Sequence, residues 1–437
     1  MGERVTMTPD VDFIRKVQEA GGGTLKKCYQ CATCSTVCEL SPADKPFPRK
    51  EMLWAQWGMR DKLISDPDIW LCHQCNDCST RCPRGAKPGD VLAAIRAHIY
   101  ETFTFPRFMG KALASPAALP ILLLVPALIV AGLIFLNIQF NQEALQHEFG
   151  VHEQVTLSTF FNTPEVHLTS FVPAGYTEML FIFGNLVIFL IAAVGLLRFW
   201  KQLQHSAAPG GGPGFVPALL QTLGDVFTHK YFGECGQNRP RQLAHLFVMY
   251  GFLFAAAAAG LALLRVINTS LGLIPGDWFM YGHDPSNLPS PIKWVGLIGG
   301  LGLFVGGLMM VVRRNTNADG VGANGYADKL FLWMVFWVGT TGMLSWLLRW
   351  AGQPTVAYPL YYIHIVVVFF LLWYMPYSKF AHMLYRGLAM VWARQNMRQF
   401  GKEATAGART MAPQPTVAPV AAMDDADEEK EAQPATA

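Results

Sequence analysis

The chain reads as an all-α protein: an α-helical cysteine-rich domain over residues 1–105, a six-helix transmembrane bundle over 106–390, and a mostly disordered tail over 391–437. Three observations predict this. Eight of the nine cysteines fall in two C-x2-C-x2-C-x3-C motifs near the N-terminus. Six apolar runs follow, each near or above the roughly 20 residues that cross a hydrocarbon core. Beyond residue 401 the sequence is mostly Ala, Pro, Thr and acid, too poor in large apolar groups to offset ordering entropy.

Over 437 residues, 52% are hydrophobic and only 15% charged, which leans towards a membrane protein. A net charge of +3, with no basic stretch interleaved with aromatics, excludes a nucleic-acid partner. The start, Met1-Gly2-Glu3-Arg4, lacks the apolar stretch of a secretory signal. The cysteines are therefore expected in the reducing cytoplasm, where clustered thiols mean metal binding or redox chemistry rather than disulfides.

Thr8-Pro9 followed by Asp12 to Val17 predicts a capped helix that stops at Gly21-Gly22-Gly23. Helical spacing recurs in Arg49 to Leu63 and in Asp90 to Tyr100. The spans are expected at Ala118–Ile138, Met179–Trp200, Leu243–Ile267, Ile292–Val312, Leu330–Trp350 and Pro359–Tyr377, the last continuing helically to Arg386. No Lys or Arg occurs between Lys111 and Arg198, so the acidic loop Gln139–Tyr176 is expected outside. Lys201, Lys230, Arg239, Arg241, Arg313, Arg314, Lys329 and Lys379 lie on the opposite side, which places both termini in the cytoplasm of a multi-pass protein of the bacterial inner membrane. His205 to Pro217 reads as a flexible linker. Gly302 and Gly306 read as a helix-packing face. No G-x-G-x-x-G follows a strand, so flavin or nicotinamide belongs to another chain.

The cysteine spacing has a geometric meaning. Three thiolates from one tight loop grip three corners of a cube, and the fourth completes the neighbouring cluster. On this logic Cys28, Cys31, Cys34 and Cys82 hold one [4Fe–4S] cluster, and Cys72, Cys75, Cys78 and Cys38 hold the other. Zinc is the rival, but it usually takes two separated C-x2-4-C pairs. Pro83 follows the second motif as expected, whereas Glu39 follows the first. Cys235 reads as a free thiol.

Histidines inside membrane segments are costly enough to be functional by default. His364 and His382 are 18 residues apart, five turns on one helix, and so about 27 Å apart on one face. His245, two turns into the third span, is at the depth of His382, and the two can ligate a b-type haem next to the cluster domain. His364 needs another partner for an outer haem: His167, His283 or none. His229 reads as a solvated residue, a quinone-site or proton-transfer group, or a haem ligand. Tyr250, Tyr377, Lys379 and Arg386 are positional candidates for a quinone site.

Residues 10–100, with GGGTLKKCYQCATCSTVC, PRKEMLWAQWGMRDKLI and DIWLCHQCNDCSTRCPRG, resemble the small iron–sulfur subunit of heterodisulfide reductases. Residues 225–390, with HKYFGECGQNRPRQLAHLFVMYGF and YYIHIVVVFFLLWYMPYSKFAHMLYR, resemble the membrane cytochrome b of the same systems and, more distantly, the nitrate reductase gamma subunit. In that latter family, two histidines 18 residues apart each ligate a different haem. Ala255 stands where its second early-helix histidine would be. The fusion resembles the C subunits of quinone-interacting membrane-bound oxidoreductase complexes of sulfate-reducing bacteria. The resemblance implies a ferredoxin-like domain joined to a cytochrome b bundle, two haems b, menaquinone, flavoprotein and iron–sulfur partner subunits, and adenylylsulfate reductase as eventual acceptor. The expected function is menaquinol oxidation feeding a cytoplasmic flavoprotein. Reverse flow into quinone, and a membrane anchor without haem, are the alternatives.

Overall fold

The computed structural model describes residues 8–42, 45–206, 211–234, 239–271, 291–316, 322 and 325–398. It is 79% helical and has no strand among the described residues, as the sequence predicts. The Cys235 and His283 readings and the disordered-tail reading of Gly401–Ala437 lie outside the described residues.

The first helix, α1 (Val11–Val17), is capped by Asp10, whose carboxylate accepts from the Phe13 amide at 2.8 Å. After α2 (Thr33–Thr36), the predicted helix from Arg49 to Leu63 is two, α3 (Arg49–Gln56) and α4 (Arg60–Ile64). Gly58 between them has φ +64°, a left-handed turn that ends α3. Short helices α5 (Asp68–Leu71) and α6 (Asp77–Thr80) bracket the second cysteine loop, and α7 (Pro88–Phe103) runs through the centre of the domain. Helix α8 (Arg107–Ala114) leads to the first span.

Six helices are long and apolar enough to cross a membrane, over Pro116–Phe140, Gly175–Gln204, Arg239–Leu264, Ile292–Thr316, Tyr326–Trp350 and Pro354–Trp373. They belong to α9 (Leu119–Phe140), then, after short α10 (Gln142–Phe149), α11 (Leu157–Asn162) and α12 (Leu168–Phe171), to α13 (Ala174–Gln204). After α14 (Phe215–Thr228) come α15 (Arg239–Leu271), α16 (Pro291–Thr316), α17 (Tyr326–Trp350) and α18 (Pro354–Trp373). Gly302 and Gly306 do form a packing face: a Cβ on Gly306 would lie 2.7 Å from the Ala244 carbonyl oxygen, and one on Gly302 3.1 Å from that of Phe247.

The sixth span differs from expectation. It ends at Trp373, and two 3₁₀ turns, Met375–Tyr377 and Lys379–Ala381, precede the final helix α19 (His382–Gln395). Pro376 lacks the amide hydrogen that would continue the helix. Ser378 then caps the second turn, its hydroxyl accepting from the Phe380 amide at 3.1 Å. His364 and His382 therefore sit on two helices, and the argument from one continuous helix face does not hold. Part of the expected linker is also helix: α14 begins at Phe215 and is fastened to α19 by the ion pair between Asp225 and Arg394.

One hydrophobic core joins the cysteine domain to the bundle. It includes Phe13, Trp70 and Ile95 together with Phe199 and Leu203 of α13 and Tyr385 and Ala389 of α19. Trp70 stacks on Tyr385 with ring centroids 5.2 Å apart, and its edge contacts to Tyr100 and Phe199 close an aromatic box. The two parts are thereby held in a fixed relation.

Candidate functional site: cysteine loops and membrane histidines

The two cysteine loops share one backbone path. Gln30 and Ala32 in the first, and Gln74 and Asn76 in the second, all have φ between +51° and +68°, at equivalent places in each motif. Successive left- and right-handed residues turn backbone N–H groups inward, the concave arrangement that holds anionic iron–sulfur clusters. Each loop runs straight into a short helix, α2 or α6, that carries its third cysteine.

None of the eight thiols is in a disulfide. They fall into two groups of four. Burial first, and then Cys82 and Cys31 beside it, raise the pKa of Cys28. Burial, with Cys28 and Cys31 nearby, pushes Cys34 up to about 11. Cys38 goes up to about 12 through burial and then Cys72, with Cys75 also close. Burial raises Cys78, followed by Cys72, Cys75 and Cys38. The fourth cysteine of each motif thus lies against the other loop, the placement that a crossed pair of cubanes requires. Among the described residues, no three sulfurs lie within 4.8 Å of one another. One tetrahedral zinc with bonds of about 2.3 Å would need sulfurs roughly 3.8 Å apart, so the spacing suits a polynuclear centre instead. Metal binding at these raised thiols displaces protons.

The histidines line one apolar-walled cavity of about 1830 Å³. Three of them have Nδ1 occupied. His382 Nδ1 lies 2.7 Å from the Lys379 carbonyl, His364 Nδ1 lies 3.0 Å from the Thr341 hydroxyl, and His245 Nδ1 lies 2.8 Å from Nε2 of His229. A partner on Nδ1 fixes the ring and leaves Nε2 to bind a metal. The rings of His245 and His382 stand 6.2 Å apart at 83°. Two imidazoles bound to one metal through bonds of about 2 Å each need a separation of this size. Beside His364, Gly342 leaves room for the ring: a Cβ there would lie 2.8 Å from Cε1. The residues therefore fit a haem between His245 and His382 and an imidazole ligand at His364. His229 caps α14 at φ +52° and touches His245, which makes it a neighbour of the pair. His167 is turned to Glu148, at 3.0 Å, and does not line the cavity.

The four positional quinone candidates all have protein partners. Tyr250 donates to the Phe227 carbonyl at 2.9 Å, Tyr377 to that of Phe105 at 2.9 Å, Lys379 pairs with Asp328 at 2.5 Å, and Arg386 bonds the second cysteine loop.

Several important residues were not singled out in the sequence. His73, inside the second motif, has no spacing that marks it. A buried group of Glu51, Asp66 and Asp68 surrounds Lys50, whose Nζ is 3.1, 3.1 and 2.5 Å from them, and Arg398 reaches Asp68 at 2.6 Å. Its members come from three separate stretches of chain.

The fold and these groups define an electron-transfer protein with an iron–sulfur head and membrane helices. Residues 24–86 match the 4Fe-4S dicluster domain. The chain is similar to the C subunit of the H(2):CoB-CoM heterodisulfide,ferredoxin reductase of Methanothermobacter marburgensis, 39% identical over 90 residues, which are 20% of this chain and 47% of the relative. It is also similar to a protein of Archaeoglobus profundus that is itself described as like the C subunit of heterodisulfide reductase, 34% identical over 88 residues, with the same coverage of 20% and 47%. The chain spans about half the length of these curated relatives. Citrate utilization protein B of Escherichia coli is 25% identical over 407 residues, covering 87% of this chain and 92% of that one. No solved structure matches the chain.

Proposed function

We propose that the chain is the membrane electron-transfer subunit of a quinone-linked oxidoreductase, oxidising menaquinol and delivering electrons to cytoplasmic flavoprotein and iron–sulfur subunits, with adenylylsulfate reductase as eventual acceptor in sulfate respiration. In this reading Cys28, Cys31, Cys34 and Cys82 hold one [4Fe–4S] cluster, and Cys72, Cys75, Cys78 and Cys38 the other. His245 and His382 ligate the haem b nearer the head, and His364 the outer one. When bound, these groups supply the one-electron chemistry that side chains lack.

The observation that carries the reading is the His245–His382 pair, 6.2 Å apart with Nδ1 engaged on both rings. An ordinary core histidine needs neither a facing partner nor a free Nε2. The protein's own work is positional: the Lys379 carbonyl and His229 orient the two imidazoles, Thr341 orients His364, and mostly apolar walls line the cavity they share. Lys and Arg placement supports a head and termini on the cytoplasmic side of a bacterial inner membrane. The head is assigned to 1–105 and the bundle to 106–390, while the tail expected from 391 starts later, because α19 runs to Gln395 and Arg398 pairs with Asp68.

The test is an anaerobic redox titration of the purified chain with menadiol and then dithionite, followed by visible and EPR spectroscopy. Two b-type haems and two cubane signals are expected, with the haem reduced by menadiol. Absence of a b-type α band would end this reading.

A further inference from the structure

We infer that electrons pass between the bundle and the head at the Cys72–Cys78 loop, clamped by Arg386 and Arg241, and that the Cys28–Cys34 loop is the solvent-facing terminus. This rests on the ligation reading above and adds the order of the two centres.

The bundle touches the two loops unequally. From α19, Arg386 donates to the Cys72 carbonyl at 3.3 Å and to His73 Nε2 at 2.7 Å. From α15, Arg241 donates to the carbonyls of His73 and Gln74 at 2.7 and 3.0 Å. The Phe232 ring fills the space between, 5.7 Å from His73 and 5.2 Å from His245. Cys72 and His73 line the same cavity as His245 and His382. An unbroken run of packed rings thus leads from the paired histidines to the second loop.

Among the described residues, the first loop's hydrogen-bond partners all belong to the head. Gln56 donates to the Cys28 carbonyl at 3.0 Å and Arg84 to the Tyr29 hydroxyl at 2.7 Å. Cys31 is exposed, as are Tyr29 and Trp57, at 66% and 50%. Tunnelling rates fall steeply with distance, so the loop against the histidines exchanges electrons with them and the exposed loop with a soluble partner.

The arginines add an electrostatic bias. A cubane gains one negative charge on reduction, and two guanidiniums bonded to the Cys72 loop stabilise that charge in surroundings of low dielectric. His73 accepts from Arg386 through Nε2, so its ring is neutral with the proton on Nδ1. Each electron moves singly from the bundle to the Cys72-loop centre and then to the Cys28-loop centre. A quinol oxidised in the membrane supplies two electrons and releases two protons, and a flavin-containing partner takes the electrons up.

The experiment uses the full-length holoprotein in detergent. Cys75→Ala and Cys31→Ala assign the two cubane EPR signals. In Arg386→Gln the midpoint potential of the Cys75-dependent signal is expected to fall, with the Cys31-dependent one unchanged. Haem reduction by reduced benzyl viologen in stopped flow should slow at least tenfold, and hydrogen exchange at residues 72–76 should rise while that at 28–34 is unchanged. Phe232→Leu, which removes the ring between His245 and the second loop but neither arginine's hydrogen bonds, should slow haem reduction with the Cys31-dependent potential unchanged, and Arg386→Lys should restore part of the rate. A shift confined to the Cys31-dependent signal, or unaltered rates in both Arg386→Gln and Phe232→Leu, would overturn the order. A wild-type chain without haem would instead overturn the ligation reading.

Discussion

His229 Nε2 lies 2.8 Å from Nδ1 of His245, the imidazole that faces His382. The contact gives His229 a supporting role: it engages one nitrogen of the ring that faces His382. His245→Ala should therefore abolish the haem nearer the head while the outer one remains, read by pyridine haemochrome as one haem in place of two. His229→Ala should keep both haems but shift the inner one's potential and EPR g values. Loss of the inner haem in His229→Ala, with the outer one kept, would make His229 a ligand instead.

The cross-over of the fourth cysteines has its own consequence. Cys38 belongs to the first motif in sequence but lies against Cys72 and Cys75. Cys38→Ser should remove the same cubane signal as Cys75→Ala, with iron falling from roughly eight to roughly four per chain. Loss of the Cys31-dependent signal instead would show that each motif serves its own cluster.

Gly342 leaves the space in which the His364 ring sits. Gly342→Ala would place a methyl 2.8 Å from Cε1 and push the ring off its bond to Thr341. The expected result is loss or high-spin conversion of the outer haem with the inner spectrum intact. Thr341→Val, which keeps the volume and removes the hydroxyl, should shift that haem's potential without losing it.

The buried acids of the head predict a pH dependence. Three carboxylates, Glu51, Asp66 and Asp68, face two cations, Lys50 and Arg398. Burial and then Asp66 raise Glu51 well above the usual carboxylate range, and burial and then Asp68 raise Asp66. The folded state then binds more protons than the unfolded one above the ordinary carboxylate value of about 4, so this cluster's contribution is complete below that pH. It falls as pH rises towards the raised values. Melting of the head at pH 5 and pH 8 should show Glu51→Gln gaining stability relative to wild type as pH rises. Lys50→Met, which leaves the buried acids without their shared cation, should cost about 3–5 kcal/mol.

Local rules made much of this protein legible. Hydropathy located all six spans, because a bilayer demands long apolar helices whatever their neighbours. Cysteine spacing pointed to two loops of one conformation, because that geometry is written within a few residues. The expectation of one unbroken helix through His364 and His382 failed at Pro376, where a missing amide hydrogen outweighed apolar pattern.

What the sequence could not give is who faces whom. Arg386 and Cys72 are more than three hundred positions apart, and no local pattern joins them. Glu51, the Asp66–Asp68 stretch and Arg398 are likewise adjacent only after folding. The sequence alone determined the two cysteine loops and the six apolar helices, through spacing and hydropathy. Only the tertiary structure decided which loop meets the histidines, because packing around the Trp70–Tyr385 core sets the head's orientation on the bundle.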